Sequence, residues 1–355
     1  MKPNDSKDST VPSFGIGETA AVIEYLRTAL PEFCRQAGMK ATDRAAFVST
    51  GMASAQACIP LMTQDNLEAG MTQAVPAVRD FWNLAGDTLV NQESRVVGMD
   101  NMKLALEHMG RGGNVLMVQN HRSGADTMVF ETLVRRALGR DVCKDWAYMS
   151  GHAVNLYLIP LMFCGGMNRF QIFSAKYLSA GLNGVDEVAM NAQNQRAMMS
   201  LRRHVKGGGR LVGFYPEGGR GDGCMKLGEP KTSCIPKIMA SASKAELLVL
   251  PTYVCDASNI LNPVRGINEY NEIFVNSRPG TASLVIGEPV PWGDICVLNC
   301  EHETVRGAWN VHVNNTLLAL VARLGPPEER GPHDPSIVEE LCGSMKLERR
   351  MEGAA

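Results

Sequence analysis

Through the first part of the chain the apolar positions recur every three or four residues. Val22, Leu26 and Leu30 fall four apart, and helical patterns continue through 43–57 and 64–90, separated by Cys58-Ile59-Pro60. The pattern predicts a helical bundle. From Arg95 onward, short apolar runs alternate with amphipathic segments, which predicts an α/β layer. Strands are expected at 96–98, 115–118, 146–149, 170–173, 210–215, 247–250, 272–276 and 283–286, the 247–250 strand ending at Pro251. Helices are expected at 101–109, after the turn at His121, and at 151–164, 185–205 and 301–324. The expected fold class is therefore α/β: a helical bundle over 1–90, a mixed-sheet domain with helices on both faces over 91–325, and a polar tail over 326–355.

One stretch, 114–132, carries the most chemistry. Val115 to Val118 read as a buried strand that breaks into the polar turn Asn120-His121-Arg122-Ser123-Gly124, and Met128, Val129, Leu133 and Val134 then recur at helical spacing. His121 and Asp126 are five residues apart, about 140° around a regular helix, so a single helix would separate them. A turn followed by a first helical turn can bring them together, as a base with an orienting carboxylate. Ser123 and Asp126 also have capping-box spacing, in which the carboxylate serves the N–H groups of the first turn. Those residues alone leave both readings open. A second polar loop, Phe214-Tyr215-Pro216-Glu217-Gly218-Gly219-Arg220-Gly221-Asp222, follows the apolar run 211–213, and two such loops point to one cleft.

Composition narrows the field. The chain has 355 residues, 45% hydrophobic and 20% charged, with a formal net charge of −2, which gives no electrostatic reason to expect a nucleic-acid partner. The longest apolar stretch, about 153–164, contains Asn155 and Pro160 and falls short of the ~20 residues that span a bilayer. A soluble intracellular protein is expected. The ten cysteines lack paired ligand spacing, so reduced thiols and no metal site are expected. Gly15-Ile16-Gly17-Glu18-Thr19-Ala20 fits a loose dinucleotide-binding pattern, but no apolar strand precedes it. Gly207-Gly208-Gly209 reads as a helix stop rather than a phosphate cradle.

Taken together, the motifs resemble the glycerolipid acyltransferase superfamily, and within it the soluble plastid-type glycerol-3-phosphate acyltransferases. The resemblance runs over about 95–288. Its first block is His121-Arg122-Ser123-Gly124-Ala125-Asp126, its second lies within 148–177, its third is Glu217-Gly218-Gly219-Arg220, and Pro251 stands for the fourth. It implies transfer of a fatty acyl group from an acyl carrier protein or coenzyme A thioester to the sn-1 hydroxyl of glycerol 3-phosphate, giving lysophosphatidic acid, with no bound cofactor. His121 would be the base and Asp126 its support, while Lys176, Arg220, Glu217, Gly218 and Gly219 would hold the acceptor. No covalent acyl-enzyme is expected.

The resemblance implies a plastid stroma or bacterial cytoplasm, and the amphiphilic product is compatible with peripheral membrane contact. Two departures from the plastid pattern stand out: Tyr177 replaces a usual histidine, and Asp222 replaces a second arginine. Glu217 is closer to the Pro-Glu-Gly block of lysophosphatidate acyltransferases and to the Glu-Gly-Gly-Arg block of bacterial membrane-bound glycerol-phosphate acyltransferases; a lysophospholipid acceptor is kept as an alternative, alongside a non-catalytic phospholipid-binding protein of the same fold. Arg169 reads either as extra charge for the site or as a solvated side chain. Met162, Phe163, Met167 and Phe170 read either as an acyl groove or as core.

Overall fold

The computed structural model describes residues 19–62, 70–121, 123–139, 141–151, 154, 155, 157–173, 178, 187–215, 234–255, 260, 274 and 277–297. Up to residue 89 these are helical apart from short connections: α1 (Thr19–Gln36), α2 (Ala41–Cys58), a 3₁₀ turn (Ile59–Met62) and α3 (Pro76–Leu89). Each helix buries one stripe: Val22, Leu26, Leu30 and Phe33 of α1, Phe47 and Ala55 of α2, Val78, Phe81, Trp82, Ala85 and Leu89 of α3. Phe47 links Phe33 and Phe81, with ring centroids 5.6 and 5.1 Å away, so the three helices share an aromatic seam. The segment 41–62 is long and apolar enough to cross a membrane by length and composition. Here its inward stripe packs into the same core as α1 and α3.

Among the described residues, an eight-stranded mixed sheet follows. Its elements in chain order are β1 (Arg95–Val97), α4 (Met99–Gly110), β2 (Asn114–Gln119), α5 (Asp126–Leu138), β3 (Ala147–Gly151), α6 (Leu158–Cys164), β4 (Asn168–Ile172), α7 (Glu187–Lys206), β5 (Leu211–Phe214), α8 (Cys234–Ala242), β6 (Leu247–Cys255), β7 (Ser283–Ile286), β8 (Val290–Pro291) and α9 (Trp292–Val297). The strand order is β1-β7-β6-β2-β5-β3-β4, with β8 also on β6. β6, β2, β5, β3 and β4 run parallel, and β7 and β8 lie antiparallel to β6. Parallel strands covered on both faces need apolar residues throughout, and β2 and β5 are buried along their whole length.

Alternation divides the sheet into two faces. Val115 and Met117 join the core beneath α3, α5 and α6, whereas Leu116 and Val118 pack with Leu201 and Val205 of α7 and with Ile235 and Met239 of α8. Helices therefore cover both faces, as the sequence predicts.

Several boundaries differ from expectation. The helix expected over 64–90 begins at Pro76, whose missing N–H and fixed φ suit a first helical turn; before it, Thr72 pairs with Arg169 as an isolated bridge. The helix expected from residue 151 begins at Leu158, because β3 continues through Gly151. β6 does not stop at Pro251 but runs to Cys255. The strand expected at 272–276, apart from Phe274, and the helix expected at 301–324 lie outside the described residues. Met162, Phe163 and Met167 are core, and Phe170 is core on the opposite face of the sheet, so these four do not line one groove.

Candidate active site

β2 is the central parallel strand, between β5 and β6, and His121 leaves its carboxyl end. In open parallel sheets that end is where the connections part and ligands bind. The residue before the histidine is pinned by a side chain that imitates backbone: Asn120 Nδ2 donates to the Val254 carbonyl at 2.8 Å, and Val254 N–H donates to Asn120 Oδ1 at 2.8 Å. This amide continues the β2–β6 pairing by one step and fixes where the chain turns.

The turn returns at once as α5, with Asp126 as its first residue. His121 Nδ1 lies 3.0 Å from Asp126 Oδ2, and the Ser123 N–H donates to that same oxygen at 2.9 Å. Asp126 thus makes the contacts of both readings in one geometry: the carboxylate receives the return bond of a capping box and also meets the imidazole. The other half of a capping box is altered, because Ser123 Oγ accepts the Ala125 N–H at 3.0 Å and donates to the Ile260 carbonyl at 2.7 Å. Asp126 is fully buried, while the His121 side chain keeps 23% of its surface. A carboxylate only accepts, so Nδ1 carries the proton in the neutral imidazole and Nε2 is left as the basic nitrogen.

The face of the imidazole is held as well. Tyr215, just past β5, stacks on His121 with ring centroids 4.2 Å apart and planes 26° from parallel. Its hydroxyl is hydrogen-bonded to Thr127 Oγ1, next to Asp126 on α5. Tyr215 retains some exposed surface, but its hydroxyl end lies inward. Burial first and the Asp126 carboxylate second push that phenol well above the ordinary tyrosine range, so it stays neutral. Asn120, Thr127 and Tyr215 are the contributors that sequence reading did not single out. Tyr215 lies in the second polar loop, two residues before the third block, and that position was its only sequence signal.

α5 itself is tied down from below. Glu131 is fully buried and accepts from Trp82 Nε1 at 2.9 Å and from the Tyr148 hydroxyl at 2.8 Å, and it pairs with Arg79 Nη1 at 2.8 Å. Arg136 donates to the carbonyls of Val90 and Asn91 at 2.6 and 3.1 Å. The helix that presents Asp126 is thereby anchored to α3 and to the segment after it.

Of the expected acceptor-binding residues, Lys176, Glu217, Gly218, Gly219 and Arg220 lie outside the described residues, as does Asp222. Arg169 is neither solvated nor beside His121. It is fully buried, and strand register places it level with Met117, four residues before His121 and three strands away. Burial also pushes the Cys34 thiol up to about 11 and the Cys58 thiol up to about 12, so neither is an activated nucleophile.

No protein-family model matches the chain. Over 136 residues it is 26% identical to the chloroplastic glycerol-3-phosphate acyltransferase of Pisum sativum, a match covering 37% of this chain and 28% of that protein. The corresponding protein of Spinacia oleracea is 25% identical over 114 residues, 32% and 24% of the two chains, and that of Phaseolus vulgaris 26% over 139 residues, 37% and 28%. The matches span only about a quarter of the length of these curated relatives. Over that stretch, the chain is similar to the chloroplastic glycerol-3-phosphate acyltransferases.

Proposed function

We propose that the protein is an acyltransferase that moves a fatty acyl group from an acyl carrier protein or coenzyme A thioester to the sn-1 hydroxyl of glycerol 3-phosphate. The observation that carries this reading is the His121–Asp126 pair at the carboxyl end of the central parallel strand, with one imidazole edge still open. Nε2 accepts the proton of the acceptor hydroxyl as that oxygen attacks the thioester carbonyl. Asp126 stabilises the imidazolium that forms. The tetrahedral intermediate collapses with cleavage of the carbon–sulfur bond, and the imidazolium returns the proton to the departing thiolate. N–H groups of the first turn of α5 are candidates to stabilise the oxyanion. Lys176 and Arg220, with Glu217, Gly218 and Gly219, are assigned to the acceptor on the sequence resemblance. The plant relatives' names support a plastid setting.

A second reading, acylation of a lysophospholipid, is kept open by Glu217 in the third block, where the plastid pattern has another residue. One experiment separates the two. The purified protein is given palmitoyl or oleoyl thioester with either glycerol 3-phosphate or lysophosphatidate, and free thiol and lipid products are followed. Thiol release that depends on glycerol 3-phosphate and yields lysophosphatidate is expected. Release dependent only on lysophosphatidate would select the second reading, and release with neither would exclude both.

A further inference from the structure

Three carboxylate or guanidinium side chains among the described residues have no exposed surface: Asp126, Glu131 and Arg169. The two carboxylates are met by His121 and by Arg79, Trp82 and Tyr148. Arg169 is met by an amide alone. Its Nη1 donates to Asn155 Oδ1 at 3.0 Å, while Nε and Nη2 make no hydrogen bond among the described residues, nor does Asn155 Nδ2. Nε and Nη2 form the guanidinium edge that offers two parallel N–H groups, the edge suited to grip a carboxylate or phosphate in bidentate fashion. Burial lowers the Arg169 pKa, and the groups that oppose this are the thiols of Cys164 and Cys58, not a carboxylate. Cys58 is itself held protonated by burial. A buried ion without a counter-charge is among the costliest features a fold can keep.

Besides those thiols, polar side chains stand along the strands between Arg169 and the candidate active site. On β4, Gln171 follows Arg169 on the same sheet face and stands opposite Ser150 of β3. Gln171 Oε1 and Ser150 Oγ are also enclosed without a partner among the described residues. Gly213 stands level with Tyr148, so two residues further along both strands Tyr215, the stacking partner of His121, is level with Ser150. Ser150 and Gln171 thus lie toward the carboxyl ends of β3 and β4, on the far side of Tyr215 from the base, with Arg169 two residues before Gln171 toward the amino end of β4.

We propose that Arg169 and Asn155 form an oxyanion subsite for a phosphate monoester, with Gln171 and Ser150 available to hydroxyls of the same ligand. Taking that ligand to be the acceptor rests on the function proposed above, and Arg169 would then share its one phosphate with the residues assigned there on resemblance; the anion chemistry does not rest on it. Because Arg169 is enclosed, ligand entry requires a local opening, and the site is tested by equilibrium binding rather than by rates.

Titration calorimetry of the full chain with inorganic phosphate and with glycerol 3-phosphate supplies the test, using wild type, Arg169→Met and Arg169→Lys. Unliganded denaturation midpoints are measured alongside. Arg169→Met is expected to weaken binding by about 10- to 150-fold, the value of a charge-assisted hydrogen bond. Lysine recovers only part, since it keeps the charge but not the two-pronged edge. The unliganded midpoint of Arg169→Met is expected to equal or exceed that of wild type, because an uncompensated buried charge has gone.

Dependence on Arg169 with glycerol 3-phosphate alone supports a subsite for the esterified phosphate, and dependence with both ligands supports a general phosphate site. The proposal is overturned if wild type binds neither, if Arg169→Met binds as wild type does, or if that variant unfolds or melts lower, which would make Arg169 structural. Arg169-dependent binding without acyl transfer would remove the proposed function and leave the subsite. Turnover of glycerol 3-phosphate with binding indifferent to Arg169 would do the reverse.

Discussion

Replacing Glu131 should unfold the protein more readily than most single substitutions, for reasons visible in its three partners. The carboxylate has no exposed surface, and Arg79, Trp82 and Tyr148 all donate to it within 2.9 Å. Glu131→Leu would leave the Trp82 indole and Tyr148 hydroxyl as buried donors, at about 1–3 kcal/mol for each. Arg79 keeps 15% of its side-chain surface exposed and can turn part of its charge toward water, so its share is smaller than for a sealed cation. The expected loss is about 3–5 kcal/mol, in the range for breaking a buried ion pair from one side.

Urea unfolding followed by circular dichroism measures this directly. The double variant Arg79→Leu/Glu131→Leu should lose less than the two single variants added together, because the second change removes a cation that the first has stranded. Catalysis should fall too, since α5 carries Asp126 at its first residue and Glu131 little more than one turn later. A loss below about 1 kcal/mol for Glu131→Leu, within the range of an exposed ion pair, would refute the claim that this network anchors α5.

Three further outcomes follow from the same geometry. Gly86 of α3 faces α5 so closely that a Cβ there would overlap Thr132 Oγ1, and Gly86→Ala should cost about 1–3 kcal/mol of stability in the same urea assay. Tyr215→Leu should lower kcat about 2- to 10-fold, the value of an aromatic pair, with acceptor KM nearly unchanged, and Tyr215→Phe should recover most of it by keeping the ring. His204 has its pKa pushed down to about 4, by burial first and Arg210 second. The unfolded chain, with an ordinary histidine near 6.5, therefore takes up that proton first as pH falls. Stability should be unaffected above pH ~6.5, drop by about 1–2 kcal/mol between ~6.5 and ~4 once partial exposure is allowed for, and level off below; His204→Leu should flatten this dependence.

The parallel strands were legible because strands covered on both faces read as unbroken apolar runs, and 115–118 and 211–214 are of that kind. Boundaries set by tertiary pairing were less so. β3 keeps Gly151 because Ile172 of β4 stands opposite it. Pro251 signalled a strand end, yet it falls between the stretch of β6 paired with β8 and the stretch paired with β7, where a missing N–H disrupts least.

At the candidate site, the five-residue separation of His121 and Asp126 indicated a turn followed by a helix. It could not reveal that one carboxylate oxygen serves both the imidazole and the Ser123 N–H. Asn120 acting as extra backbone, and Tyr215 lying flat on the imidazole, depend on segments 134 and 94 residues away that no local pattern brings together. The solvated reading of Arg169 failed because arginines are usually exposed, whereas this one is fully buried on a strand with core on both faces.

The most direct test of the central claim is steady-state turnover of glycerol 3-phosphate and an acyl thioester by His121→Ala, with acceptor binding measured separately. Loss of a general base costs about 10²–10⁴ in rate, so kcat should fall by that factor while the dissociation constant for glycerol 3-phosphate stays within about twofold of wild type, a change under ~0.5 kcal/mol. Wild-type turnover in a correctly folded His121→Ala protein would contradict the assignment of His121 as the base.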